Sequence, residues 1–145
     1  MKCSEIMTTE VKACHPYNTI KEAVQLMKEL NCGVMPIVDE NNRIAGIVTD
    51  RDLVFYIVLN NKDPEDTLLS EVMITPVITC NANDDLDTAV YKMSKHQIRR
   101  IPIVDHNYKL LGLISLGDVA IKAKEEHETF EALEHISEPV IKRWQ

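Results

Sequence analysis

Gly46-Ile47-Val48-Thr49-Asp50-Arg51-Asp52 decides the fold, because it recurs as Gly112-Leu113-Ile114-Ser115-Leu116-Gly117-Asp118. In each copy a short apolar run reads as a buried strand, and the acid that follows opens an amphipathic helical run. A hydroxyl three residues before a carboxylate, at a strand-to-helix turn, has two readings. It can cap the helix: the Thr49 or Ser115 oxygen accepts a backbone N–H, and the acid sits at the positive end of the helix dipole. Alternatively the side chains can grip a polyol such as ribose, while free N–H groups of the helix start face a phosphate.

The recurrence extends outward from that stretch. Shifted by 66 residues, the chain aligns on itself without a gap from Ile6 to Leu53. Met7 falls on Met73, Val11 on Val77, Cys14 on Cys80, and Pro36-Ile37-Val38-Asp39 on Pro102-Ile103-Val104-Asp105. Two copies of one supersecondary unit follow. In the first, Val11 to Cys14 reads as a strand. A helix capped by Asn18 or Thr19 follows, with Ile20, Val24, Met27 and Leu30 inward, and Asn31-Cys32-Gly33 closes it. Strands Met35–Val38 and Ile44–Val48 flank a turn, and a helix runs from Asp50 to about Leu59. The second copy predicts a turn at Leu69 to Met73 and a strand Val77–Cys80. A helix from Asp85 then turns Leu86, Ala89, Val90 and Met93 inward. Strands Ile101–Val104 and Leu110–Ile114 precede a helix from Leu116 to about Lys124.

The expected fold is α/β, of the α+β kind. Two pseudo-symmetric β-α-β-β-α repeats, 1–62 and 63–124, pack through their sheets, because about 60 residues bury too little surface alone. The extension 125–145 is expected to be partly helical, with Phe130, Leu133, Ile136 and Val140 at rough helical spacing and Pro139 interrupting.

Of the 145 residues, 45% are hydrophobic and 27% charged, which places the chain among globular proteins rather than disordered ones. No apolar run approaches the roughly 18 residues of a membrane helix, and Met1-Lys2-Cys3-Ser4-Glu5 is no signal peptide. A cytoplasmic location without membrane attachment is expected. The net charge of −7 argues against nucleic acid as a partner. The four cysteines show no CxxC spacing, and Cys14, Cys32 and Cys80 read as reduced core residues. His15 beside Cys14 is the one close pair of metal-ligating types, so no metal site is assigned. Met7, Met27, Met73 and Met93 read as core filler. With no Gly-rich phosphate loop and no Gly-x-Ser-x-Gly elbow, and with no third partner for Cys80 and His96, no catalytic residue is assigned.

A duplicated unit with a Pro-Ile-Val-Asp strand and a Gly-hydrophobic-hydrophobic-Thr/Ser-x-x-Asp motif resembles a pair of cystathionine β-synthase (CBS) domains, a Bateman module, in its small stand-alone prokaryotic form. The resemblance implies a regulatory sensor that binds an adenosine-containing molecule in two clefts. AMP, ADP, ATP, S-adenosylmethionine and a dinucleotide all carry that group. It implies ligand binding without catalysis and without a required cofactor. Carried over residue by residue, one cleft joins Thr49 and Asp52 to Thr75, Val77, Ile78, Ile98 and Arg99. The other joins Ser115 and Asp118 to Thr8, Val11, Cys32 and Gly33. Arg99 matches a position that can contact phosphate in the family, whereas its counterpart Gly33 leaves more room and less positive charge. A flat homodimer is also implied, served by Leu53, Val54, Ile57, Val58, Val119 and Ile121. The competing reading is a constitutive dimerisation or scaffold module with empty clefts.

Overall fold

Short polar caps set three of the helix starts, at Thr19, Thr49 and Ser115, and residues in the left-handed region set several helix ends. In a computed structural model of the chain, which describes residues 1–123 and 126–137, helix α1 spans Cys3–Ile6 and α2 spans Ile20–Leu30. The Thr19 side chain accepts from Glu22 N at 3.2 Å while the Glu22 carboxylate takes Thr19 N, a reciprocal box that satisfies two orphan donors. Asn31, at φ 52°, ends α2, and its repeat partner Gln97, at φ 53°, ends α4 (Leu86–His96). The turn keeps its backbone even where the residue is not one of the usual Gly or Asn.

Strand β1 (Val34–Val38) pairs antiparallel with β2 (Ile44–Thr49), and α3 (Asp50–Asn60) leaves β2 directly. A 3-10 turn at Leu69–Glu71 follows. Next come β3 (Cys80–Asn81), α4, β4 (Arg100–Val104) and β5 (Leu110–Ser115), with β4 between β3 and β5 and parallel to β3. Helix α5 covers only Leu116–Asp118 before the chain widens into a π-helical turn at Val119–Ala123. Helix α6 spans Glu126–Ser137.

The chain folds as two compact units that do not follow sequence order. One, the Thr49 unit, comprises Lys12–Val77 with Asn107–Leu110; the other, the Ser115 unit, comprises Met1–Val11, Ile78–His106 and the described residues from Leu111 to Ser137. Each has its own core. Cys14, Ile20, Ala23, Met27, Met35, Ile37, Val48, Leu53 and Leu69 fill the first. In the second, Cys3, Ile6, Cys80, Leu86, Ala89, Met93, Ile101, Ile103 and Ile114 are joined by Ala132 of α6.

The leading segment of each repeat therefore serves the other repeat's body. Thr8 exchanges backbone hydrogen bonds with Leu113 at 2.9 and 3.0 Å, and Ile74 does the same with Ile47 at 2.9 and 3.2 Å. A methionine follows each segment inward. A Cβ on Gly46 would stand 2.7 Å from Met73 Sδ, and one on Gly112 would stand 2.7 Å from Met7 Sδ and 2.8 Å from the Thr8 carbonyl. The repeated glycine is thus a notch for the incoming segment.

Five local expectations change. The strand expected at Val77–Cys80 forms only at its end, as β3. The strand expected at Val11–Cys14 reduces to one parallel bridge, Cys14 to Ile37, held by Cys14 N to Pro36 O at 3.0 Å and Val38 N to Cys14 O at 2.8 Å. Helix α2 turns Ala23 inward, while Val24 and Leu30 stay 45% and 44% exposed. Leu53 and Val119, expected on an outer face, are core residues at 2% and 0% exposure. On α6, Ala132 is buried, whereas Phe130 remains 69% exposed; Val140, Pro139 and Lys124 lie outside the described residues.

Candidate functional site

The Gly-x-x-Thr/Ser-x-x-Asp turn takes the same form in both units. Strand β2 ends at Thr49, whose extended backbone (φ −113°, ψ 160°) delivers the chain into α3, and Ser115 does the same after β5 (φ −105°, ψ 159°). Thr49 Oγ1 accepts from Asp52 N at 3.2 Å and donates to Asp52 Oδ2 at 2.8 Å, while Thr49 N donates to the same carboxylate oxygen at 3.2 Å. Ser115 Oγ accepts from Asp118 N at 3.0 Å, and Ser115 N donates to Asp118 Oδ2 at 2.9 Å. Capping is therefore present in both copies. Asp52 Oδ1 accepts no hydrogen bond among the described residues. Asp118 Oδ1 lies 3.7 Å from Lys122 Nζ, which also donates to the Ile6 carbonyl at 3.2 Å.

The third residue beyond each unit's first long helix, Gly33 after α2 and Arg99 after α4, joins each turn through its carbonyl. Asp50 N donates to Gly33 O at 3.0 Å, and Leu116 N donates to Arg99 O at 2.8 Å. Here the side chains differ. The Asp50 carboxylate fills the place beside Gly33, 3.1 to 3.3 Å from where a Cβ would stand. The space expected from the missing side chain is thus taken up by an acid. Arg99 is exposed at the entry to β4, and Cys32 and Ile98, its neighbours in the alignment, are half-buried.

The Thr49 unit contains Cys32, Gly33, Thr49, Asp52, Thr75 and Val77; the Ser115 unit contains Thr8, Val11, Ile78, Ile98, Arg99, Ser115 and Asp118. Thr8 and Thr75 are exposed, next to the two segment bridges, and the Thr75–Pro76 peptide is cis. Val11, Val77 and Ile78 are half-buried. Arg51 sets its guanidinium over the Phe55 ring at 5.2 Å, a surface contact that keeps it beside α3. Two participants were not anticipated from sequence. Asp50 at Gly33 required knowing how the helix start abuts the loop, while Lys122 stands four residues after Asp118, a helical spacing that points to it.

In the Thr49 unit, α2 and α3 also bound an apolar groove of about 930 Å³, lined by Val24, Met27, Leu53, Val54, Ile57 and Val58 among others. Val54, Phe55, Val58 and Leu59 are 57, 50, 64 and 76% exposed. Among the described residues no group of three or more His, Cys, Asp or Glu is placed to hold a metal ion.

Known proteins match this arrangement over nearly its whole length. The family model described as CBS domain matches residues 3–59 and 69–125. The CBS domain-containing protein YhcV of Bacillus subtilis is 41% identical over 133 residues, covering 92% of this chain and 93% of that protein. A solved structure of Hypoxic Response Protein I with two coordinated zinc ions superposes with a TM-score of 0.78 at 28% identity, over 84% of this chain and 98% of that one. The CBS domain pair of protein MJ0100, in complex with 5-methylthioadenosine and S-adenosyl-L-methionine, superposes with a TM-score of 0.75 at 26% identity, over 87% of this chain and 98% of that one. A repeated cap-and-acid turn, a repeated glycine notch and a family match to both copies lead to one conclusion: the chain belongs to the CBS domain family, as a tandem pair.

Proposed function

We propose that this protein is a non-catalytic regulatory module sensing an adenosine-containing small molecule, with ribose hydroxyls taken by Asp52 in one unit and Asp118 in the other. One observation carries the reading. Each acid is fixed through its Oδ2 by its own cap, so each carboxylate is held still with its second oxygen turned to other partners. A carboxylate so placed can accept from two vicinal hydroxyls without first losing side-chain freedom. The adenosine compounds held by the MJ0100 pair support the ligand class. AMP, ADP, ATP, S-adenosylmethionine and a dinucleotide all fall within it. Ligand binding would shift a population of packing states that a partner protein reads.

The scaffold reading draws on the same caps, since capping alone accounts for a Thr/Ser and an Asp at this spacing. A thermal-shift series with adenosine, AMP, ATP and S-adenosylmethionine separates the two. At a hundredfold excess over Kd one site adds about 2.7 kcal/mol, and the melting temperature should rise by several degrees. Chromatography of the recovered compound should find it unchanged. No rise with any of the four would hand the lead to the scaffold.

The exposed apolar residues of α3 support a homodimer, with an interface in the roughly 1,200–2,000 Å² range of stable assemblies. Light scattering at micromolar concentration reads the assembly state directly. The module is taken to work in the cytoplasm and without nucleic acid; no described helix is long and apolar enough to cross a membrane.

A further inference from the structure

The repeat shows what one helix face needs by covering it in one unit and leaving it open in the other. In the Ser115 unit α6 lies along α4, and the Gln97 side chain donates to His135 O at 3.1 Å. Ala132 of α6 is 1% exposed and shares a core with Val90, Leu116 and Val119. Val90 is accordingly 7% exposed, whereas Val24, at the same repeat position on α2, is 45% exposed and opens on the groove between α2 and α3. One side chain in one repeat position is buried where a further helix lies on it. It is bare in the Thr49 unit, where no described helix of that unit does the same.

Helix α3 needs such a cover. From Leu53 to Leu59 it reads Leu-Val-Phe-Tyr-Ile-Val-Leu, which carries no charge and is apolar on every side. A helix apolar all round is one that is buried on more than one face. Leu53 alone of its residues is buried, and Val54, Phe55, Val58 and Leu59 are 57, 50, 64 and 76% exposed. Single exposed apolar side chains are ordinary on a surface, but four on one helix beside an apolar groove mark an interaction site.

We propose that this face is closed by the same face of a second copy, with the ridge of Val54 and Val58 of each copy lying in the α2–α3 groove of the other about a two-fold axis. The inference rests on the homodimer reading above and assigns its surface. A two-fold contact sets like residues against like, so a charged helix would meet its own sign there. Between Asp52 and Lys62 helix α3 and its end present none. Val54 and Val58, four residues apart, form the kind of row that packs into a groove of a facing helix pair. Lys21, Lys28, Asp63 and Glu65 edge the groove and supply the polar rim of a stable interface, which covers roughly 800 Å² on each partner. On the Ser115 unit the matching face already holds α6, and a dimer through it would first have to displace that helix. The interface is therefore one-sided. Val119 belongs to the core, and Ile121, 78% exposed, stays outside the contact.

The test compares the unaltered full chain with Val58→Glu, Ile121→Glu and Phe130→Glu by sedimentation at micromolar concentration. The three replaced side chains are 64, 78 and 69% exposed, so each variant keeps its core. The unaltered chain should be a dimer. Val58→Glu should weaken it at least about a hundredfold, because the two-fold buries the new charge twice. Ile121→Glu and Phe130→Glu should leave the dissociation constant unchanged. Hydrogen exchange on the unaltered chain gives a second reading that needs no variant. On dilution to the monomer, amides of α3 should lose protection and those of α4 should not. A monomeric unaltered chain would remove the homodimer and the proposal with it. A dimer that survives Val58→Glu, one that yields to Ile121→Glu or Phe130→Glu, an assembly of four copies, or protection lost in α4 would each keep self-association and overturn the assignment of its face.

Discussion

The Thr49 and Ser115 turns begin alike and diverge within one helical turn. Both strands end in a hydroxyl that caps on the third residue, and both helix starts donate to the carbonyl of the third residue beyond the preceding helix. Beyond that the chemistry separates. Helix α3 runs eleven residues, whereas α5 ends after three and widens into a π-helical turn. Asp50 and Arg51 stand where the second copy has Leu116 and Gly117, Gly33 where it has Arg99, and Tyr56 where it has Lys122. The Thr49 turn is thus acidic beside Gly33, while the acid of the Ser115 turn has a lysine near it. Backbone and caps have been held constant while charge has drifted. This is the pattern expected if a neutral ligand group is gripped in common and a charged one is read differently.

The largest expected effect tests the shared part. Gly112→Ala should cost about 3 kcal/mol and Gly46→Ala about 1–2 kcal/mol, because the nearest atoms to the first include the Thr8 backbone as well as Met7, and the nearest to the second are those of the Met73 side chain. Urea denaturation gives both numbers, and equal losses would mean that the backbone contact yields as readily as the thioether. The next effect tests the divergent part. Arg99→Ala should weaken AMP or ATP by ten- to a hundredfold, about 1.5–3 kcal/mol, with little change for adenosine. Asp52→Ala should weaken all three by similar factors, since ribose is common to them. Calorimetry in which Arg99→Ala loses adenosine and AMP equally would end the phosphate assignment. The smallest effect concerns the caps: Thr49→Ala and Ser115→Ala should each cost about 1 kcal/mol. The Thr49 change should be the larger, because Thr49 caps the longer helix and also donates to Asp52 at 2.8 Å. A reversed order would show that helix length does not set the value of the cap.

Much of this was legible in sequence because it is local. Thr19, Thr49 and Ser115 announce helix starts by residue type and spacing, and Leu86, Ala89, Val90 and Met93 mark the inner face of α4 correctly. What escaped depends on distant partners. Nothing near Met7 says that its sulfur will fill the notch at Gly112, since that contact joins residues about a hundred positions apart. On α2 the apolar stripe was wide enough for two choices of inner face. The sheet selected Ala23, leaving Val24 and Leu30 at the surface. The π-helical turn after Asp118 has no signal in residue type.

The exchange of leading segments bears on how such a chain can be cut. The backbone passes from one unit to the other at Val11, Val77, His106 and Leu110. A gene fragment ending at the repeat boundary would carry Met7 without Gly112 and Gly46 without Met73. Neither half is a transplantable cassette. A workable excision has to follow the notch rather than the repeat, taking residues 12–77 as one continuous piece so that Met73 comes along with the glycine it fills.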